Sequence, residues 1–131
     1  MQPKRNTWQR EAVRAELSSA DGFVSAQELH RRLKSDGSTV GLATVYRALA
    51  TLAEGGDADS IQSPDGETLF RSCTTVGHHH HLVCRGCGET RELAAVAVEE
   101  WANQVGAENG YTEIGHVLDL FGLCPACSAK R

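Results

Sequence analysis

The sequence predicts an α+β protein with a helical N-terminal half that ends in a β-hairpin and a small, cysteine-rich C-terminal α/β half. Three stretches with helical spacing of apolar residues precede a hairpin pattern that ends near Cys73. The composition then changes, because ten of the eleven cysteines and histidines lie between Cys73 and Cys127, with only His30 outside. Such clustering is typical of metal ligands.

Composition excludes several classes of protein. With 40% hydrophobic and 23% charged residues, the 131-residue chain is neither disordered nor membrane-spanning. Aromatic residues are only 5%, so we expect a metal or a partner chain to add stability. No apolar segment follows Met1–Arg5, which predicts a cytoplasmic protein without a signal peptide. In that setting five cysteines do not indicate a disulfide framework.

Charge is unevenly distributed along the chain. The net charge of −4 argues against a uniformly basic nucleic-acid binder. Residues 1–52 hold eight Lys and Arg against five Asp and Glu, whereas residues 78–131 hold four against seven. This asymmetry permits a DNA contact in the N-terminal half.

Helix signals define the first half. Thr7 is a candidate N-cap for a helix that runs to Leu17, with Trp8, Ala12 and Val13 as its other apolar residues. A capping box starts at Ser25, where the Ser side chain caps the first turn and Glu28 reaches back. The helix that follows carries Leu29 and Leu33 on one face and ends at Gly37.

A third helix is predicted over 42–53, with one apolar stripe formed by Leu42, Val45, Leu49 and Leu52. A hairpin then follows, with Ile61 in one strand, a turn at 64–66 and a return strand at 68–71. Three short helices and a hairpin indicate a winged helix-turn-helix, although any small helical domain with a β-ribbon fits the same spacing.

The second half predicts alternating strands and a helix. We expect strands at 78–84, 91–93 and 114–120, and a helix with Val98, Trp101, Ala102 and Val105 on one stripe that ends at Asn109-Gly110. The last strand has apolar residues on both faces, as expected if a helix packs on one face and a partner chain on the other.

The strongest chemical signal is a pair of C-x-x-C motifs, Cys84/Cys87 and Cys124/Cys127. Each motif directs two sulfurs at one point, and two of them complete a tetrahedron around zinc. Four protein ligands leave no open coordination position, which predicts a structural role. A redox pair and an iron–sulfur cluster are the alternatives.

The histidine run 78–81 is the second signal. In a strand, alternate side chains point to opposite faces, so one run contributes to two metal sites. Asp59 and Cys73 complete an Asp-Cys-His-His set with one pair of these histidines. His116 and Glu99 complete a His-His-Glu-His set with the other pair, although Glu92, Glu100 and Glu108 fit equally well. A solvated polar turn is the alternative interpretation of the run.

These motifs together resemble the ferric uptake regulator family, and within it most closely the zinc uptake regulators. The resemblance lies in SAQELH at 25–30, GLATVYRAL at 41–49, HHHHLVCRGC at 78–87, His116 and the second C-x-x-C motif. It implies a winged-helix DNA-binding domain at 1–73, a hinge at 74–80 and a dimerisation and zinc-binding domain at 81–131.

The resemblance also implies three zinc sites and assigns the histidine pairs. The ligands it implies are Cys84, Cys87, Cys124 and Cys127 for the structural site, Asp59, Cys73, His79 and His81 for the regulatory hinge site, and His78, His80, Glu99 and His116 for the third site. We therefore expect two or three zinc ions per subunit, a homodimer, and zinc-dependent repression of zinc uptake or homeostasis genes at palindromic operators. No membrane partner and no small organic substrate are expected.

The predicted DNA contacts lie on helix 42–53 and near the N-terminus. Tyr46 can pack on thymine methyls and Arg47 can reach phosphate or a guanine edge, with Thr44 beside them. Lys4 and Arg10 are candidate backbone contacts. Three alternatives remain: a zinc hydrolase, which needs an open coordination position; a zinc buffer or zinc-ribbon protein; and an iron-, manganese- or nickel-sensing relative.

Overall fold

The computed structural model describes residues 3–73 and 79–130, with side chains from residue 7 onward. Its elements in chain order are α1 (Pro3–Ser18), β1 (Val24–Ser25), α2 (Ala26–Ser35), α3 (Leu42–Glu54), β2 (Ala58–Gln62), β3 (Thr68–Ser72), β4 (His80–Cys84), β5 (Thr90–Leu93), α4 (Val96–Glu108), β6 (Asp119–Gly122) and α5 (Pro125–Ala129). Among the described residues, no helix combines the length and apolar character that crossing a bilayer requires.

The first half is a winged helix-turn-helix. Its three helices pack on a small antiparallel sheet of order β1-β3-β2, in which the β2–β3 hairpin forms the wing. The buried apolar side chains form one core: Val13, Leu17, Val24, Ala26, Leu29, Leu33, Val40, Val45, Ala48, Leu49, Leu52, Ala58 and Phe70. The predicted stripe of α3 is buried from Val45 to Leu52, whereas Leu42 is 40% exposed at the helix start.

Two helix starts refine the predictions. Helix α1 begins at Pro3 rather than at Thr7, consistent with the preference of proline for the first helical position. At α2 the Glu28 N–H donates to Ser25 Oγ at 3.1 Å, as expected of the cap. The Glu28 carboxylate turns instead to Arg31 and Arg32, whose hydrogen bonds lower its pKa to about 2.

The second half is a three-stranded sheet with the helix α4 and the short helix α5. Strand β4 lies in the centre, antiparallel to β5 and parallel to β6. The predicted strand over 114–120 was wrong in its first part, because β6 begins at Asp119. Pairing with β4 starts at His81, so the residues before Asp119 have no facing strand among the described residues. The domain limits remain a prediction, since 74–78 lies outside the described residues and β4 already begins within the expected hinge.

The loop between α1 and β1 touches the second half. Gly22 pairs with Glu89 in an isolated antiparallel bridge, and the Phe23 N–H donates to the Gly88 carbonyl at 3.2 Å. Phe23 is buried against Ile61 and Val83 in a small second core. This contact places the wing close to the turn after β4.

We expect Gly22→Ala to open this contact. A Cβ at Gly22 would lie 1.8 Å from the Gly88 carbonyl oxygen, so the backbone must move, at a cost of about 1–3 kcal/mol for overpacking. Hydrogen exchange should show faster exchange of the Phe23 N–H, which donates across the contact. Gly115→Ala is the control, because among the described residues no atom outside its chain neighbours lies within 4 Å of a Cβ there. Unchanged Phe23 exchange in Gly22→Ala would contradict the contact.

Candidate metal centres and nucleic-acid interface

Four cysteine thiols converge at the end of the central sheet. Cys84 ends β4, Cys87 lies in the following turn, and Cys124 and Cys127 belong to the start of α5. Their sulfurs all lie within 4.8 Å of one another, with 3.8 Å between Cys87 Sγ and Cys124 Sγ. A zinc tetrahedron with Zn–S bonds of about 2.3 Å separates its sulfurs by about 3.8 Å. We call this set the four-cysteine cluster.

The surroundings of this cluster act differently on its individual thiols and favour a thiolate at Cys84. Cys84 Sγ accepts N–H groups from Cys124 at 3.3 Å, Gly86 at 3.3 Å and Cys87 at 3.4 Å. The Cys124 N–H contributes most to lowering the pKa of Cys84 to about 6. By contrast, side-chain hydrogen bonds with Cys84 and Cys124, together with burial, raise the pKa of Cys127 to about 12. A bound cation acts in the opposite direction, because it stabilises the deprotonated form of every thiol that it contacts.

Backbone space at the cluster is also restricted. A Cβ at Gly86 would lie 3.0 Å from Cys127 Sγ, so the turn between the first two cysteines fits closely around the sulfurs. The donor set and this close fit suit a closed, structural zinc site.

A second cluster spans the wing and the central sheet, and we call Asp59, Cys73, His79 and His81 the hinge cluster. Asp59 lies on β2, Cys73 directly follows β3, and the two histidines lie just before and within β4. Asp59 Oδ2 is 3.0 Å from Nε2 of both His79 and His81, and Cys73 Sγ is 3.7 Å from His79 Nε2. Two imidazole nitrogens thus converge on one carboxylate oxygen beside a buried thiol.

Charge at the hinge cluster centres on Asp59. Burial raises the pKa of the Asp59 carboxyl, but hydrogen bonds from His79, Cys73 and His81 outweigh burial and leave the pKa below its usual value. An ionised carboxylate with two imidazole nitrogens and a thiol is a mixed donor set that suits Zn²⁺.

Glu92 lies beside the hinge cluster, although the sequence pattern made it a candidate ligand only for the third site. Its Oε2 lies 4.0 Å from Cys73 Sγ and 3.0 Å from Arg71 Nη1. One donor atom each from Asp59, Cys73, His79 and Glu92 lies within 4.8 Å of the others. Glu92 is the register partner of His81 in the β4–β5 pair. Its proximity to the hinge cluster follows from this strand pairing and was not evident from the sequence.

A third cluster lies on the opposite side of β4. His80 Nε2 is 2.5 Å from Glu99 Oε2 and 3.3 Å from His116 Nε2, and the same Glu99 oxygen is 3.0 Å from His116 Nε2. The alternation expected of the histidine run therefore separates His80 from His79 and His81. His78, the fourth expected ligand, lies outside the described residues. We call His80, Glu99 and His116 the third cluster.

The expected DNA-contacting residues lie on α3 and α1. Tyr46 is 49% exposed and its ring meets Phe70 edge-on, while Arg47 Nη2 donates to Thr44 Oγ1 at 3.2 Å. Arg10 lies with Thr44 and Arg47 along a shallow groove between α1 and α3. The side chain of Lys4 lies outside the described residues.

Other arginines of the first half are engaged in ion pairs. Arg14 Nη2 lies 3.2 Å from Asp57 Oδ2, and both Arg31 and Arg32 pair with Glu28. These pairs lie at the surface, where ion pairs contribute little to stability and the side chains remain largely solvated.

Comparison with known proteins places this arrangement among metal-dependent regulators. Residues 2–121 match the sequence model of the ferric uptake regulator family. The zinc uptake regulation protein of Mycobacterium tuberculosis strain H37Rv is 43% identical over 123 residues, covering 94% of each chain. The crystal structure of FurB from M. tuberculosis, a zinc uptake regulator, superposes with a TM-score of 0.56 at 43% identity, covering 94% of this chain and 95% of that one. A zinc uptake regulator complexed with zinc and DNA superposes with a TM-score of 0.70 at 28% identity, covering 93% and 82%.

Proposed function

The chain belongs to the ferric uptake regulator family, and on that premise we propose that it is a zinc-responsive transcriptional repressor. Its zinc-loaded homodimer binds palindromic operators of zinc uptake and homeostasis genes. The observation that carries the proposal is the hinge cluster, in which Asp59 and Cys73 of the wing meet two histidines of the C-terminal sheet. A metal bound there joins the two halves.

Donor chemistry supports zinc as the metal sensed. Cys73 supplies a thiolate, a soft ligand that favours zinc over ferrous iron and manganese, and the Irving–Williams order acts in the same direction. The similar protein of M. tuberculosis is a zinc uptake regulation protein, and one similar solved structure is a zinc uptake regulator complexed with zinc and DNA. An iron-, manganese- or nickel-sensing role, the alternative within this family, has no comparable support.

We assign a structural zinc to the four-cysteine cluster, a regulatory zinc to the hinge cluster and a third zinc to the third cluster with His78. Zinc supplies each site with a divalent charge that holds deprotonated donors together. In the hinge cluster Asp59 and Cys73 hold the wing side and His79 and His81 hold the sheet side. Binding thereby favours one angle between the DNA-binding domains of the dimer.

The proposal includes a homodimer formed by the second half. Apolar side chains are exposed there on α4 and on the segment up to β6: Val96, Trp101, Val105, Tyr111, Ile114, Val117 and Leu120. Val105, Tyr111 and Ile114 line one shallow groove, and exposed apolar patches of this kind mark interaction sites. Two recognition helices α3 of the dimer would then enter successive major grooves, about 34–36 Å apart.

Two functions of other classes fit the geometry less well. A zinc hydrolase needs an open coordination position and a base. The four-cysteine and hinge clusters each offer four protein donors, and the third cluster reaches four with His78 as its proposed fourth ligand. A zinc buffer has no use for α3 with Thr44, Tyr46 and Arg47 at its surface. A transcription regulator accounts for both features.

Linkage between zinc and DNA tests the proposal. Zinc binding and operator binding must strengthen each other by the same factor, and a tenfold factor corresponds to about 1.4 kcal/mol. We expect a palindromic duplex, selected from random DNA with the zinc-loaded protein, to tighten zinc binding at the hinge cluster at least tenfold in a chelator competition. The zinc affinity of the four-cysteine cluster should not change with the duplex, since that zinc is bound in both the DNA-free and the DNA-bound protein. Equal zinc affinity with and without the duplex would contradict the proposed function.

A further inference from the structure

The imidazole ring of His81 meets a carboxylate oxygen at each of its two nitrogens. Nε2 lies 3.0 Å from Asp59 Oδ2, and Nδ1 lies 2.9 Å from Asp119 Oδ1. A neutral imidazole carries one N–H, so one nitrogen donates while the other presents a lone pair. The Asp59 oxygen is also 3.0 Å from His79 Nε2, so candidate metal ligands converge on the Nε2 side of the His81 ring. When a metal is bound there, Nε2 must present its lone pair, and the N–H then lies on Nδ1, facing Asp119.

The backbone holds Asp119 in this place. Strands β4 and β6 pair in parallel with His81 directly beside Asp119. The side chains are 6% and 13% exposed, so water competes little for the hydrogen bond between them. The ring of Phe23 meets His81 edge-on, with 5.1 Å between the ring centroids, and restricts its rotation. The hydrogen bond thus has both a defined geometry and a protected environment.

We propose that Asp119 is a positioning residue for the hinge cluster. It accepts the Nδ1–H of His81, selects the tautomer whose Nε2 lone pair faces the metal, and makes that nitrogen a stronger ligand. Carboxylates that accept the second N–H of a metal-bound histidine act in this way, and their loss weakens metal affinity about 10–100-fold. The inference rests on the proposed function, because it takes the hinge cluster to bind zinc.

His80 offers an internal comparison. Its Nδ1 lies 3.1 Å from the Leu118 carbonyl oxygen, while its Nε2 faces Glu99 and His116. Leu118 and Asp119, next to each other at the start of β6, therefore orient His80 and His81 of β4. At His80 the acceptor is a neutral backbone carbonyl, whereas at His81 it is a carboxylate, so only the second can be removed by a side-chain substitution.

Zinc competition is the first measurement. In the full-length protein with its four-cysteine cluster loaded, Asp119→Ala should weaken zinc binding at the hinge cluster about 10–100-fold against a chelator. Asp119→Asn keeps an acceptor but loses the charge, so its affinity should fall between wild type and Asp119→Ala. The control is Glu108→Ala, which removes an equal charge from the exposed end of α4 and should leave zinc affinity unchanged.

The ring proton of His81 is the second measurement, because a merely structural role for Asp119 would not affect it. In nitrogen-15 NMR spectra of the zinc-loaded protein, wild type should show a downfield Nδ1–H resonance protected from solvent exchange. Asp119→Asn should retain it with a smaller downfield shift, and Asp119→Ala should lose the protection. If Asp119→Ala does not fold, the Asn variant tests the inference alone through its reduced affinity and its retained, less shifted resonance.

The outcomes separate this inference from the proposed function. Wild-type protein that binds no zinc at the hinge cluster would overturn both. Wild-type binding together with unchanged zinc affinity in both Asp119 variants, or with an unchanged Nδ1–H resonance in Asp119→Ala, would overturn only the role of Asp119.

Discussion

Replacing Cys84 or Cys124 by Ser is expected to cost the protein its ordered C-terminal half and its dimer, even in excess zinc. Both sulfurs belong to the four-cysteine cluster, which joins the end of β4 to the start of α5. Structural zinc binding is largely folding free energy, with apparent values of about 10–16 kcal/mol in zinc-finger peptides. Circular dichroism, sedimentation and zinc analysis of each purified variant measure the loss.

The matched control for this pair is Cys73→Ser, which removes a thiol outside the four-cysteine cluster. That variant should keep its fold, its dimer and one zinc that resists chelators. A Cys84→Ser variant that is stable, dimeric and normal in DNA binding would show that the four-cysteine cluster has no structural role.

Replacing Cys73 by Ser or His79 by Ala is expected to give a folded dimer that no longer responds to zinc. Each side chain contributes one donor to the hinge cluster, and Cys73 and His79 lie on its two sides. Loss of the bridge removes the energetic preference for the DNA-competent geometry, so operator affinity should fall at least tenfold, about 1.4 kcal/mol, at saturating zinc. Fluorescence anisotropy with a labelled palindromic duplex at graded free zinc measures the effect.

His30→Ala is the control for His79→Ala, because His30 lies on α2 and belongs to none of the three clusters. It should leave the zinc response of operator binding in place. Full zinc-responsive binding by Cys73→Ser would place the sensor elsewhere in the molecule.

Local sequence signals were sufficient for most of the first half. The winged-helix elements follow from apolar spacing, the Ser25 cap and the turn at 64–66, which depend on interactions within a few residues. The start of β6 was mispredicted because a strand depends on pairing with a distant segment of the chain. Residues 114–118 have alternating character, but a strand also requires a neighbour to pair with, and β4 meets this segment only from Asp119 onward.

The candidate metal ligands and their grouping along the chain were predictable from residue type and spacing. Two C-x-x-C motifs specify a tetrahedral sulfur site by their spacing, and the period of a strand separates His80 from its neighbours. These inferences need only short-range geometry.

Residue spacing left open which distant acids meet those histidines, and the resemblance implied only Asp59 and Glu99. Glu99, in the first turn of α4, is the acid that lies beside His80, rather than Glu100 or Glu108. Glu92 reaches the hinge cluster through the β4–β5 register, and Asp119 reaches His81 through the parallel β4–β6 register. A register joins residues far apart in the chain and depends on the whole sheet, so no local pattern encodes it.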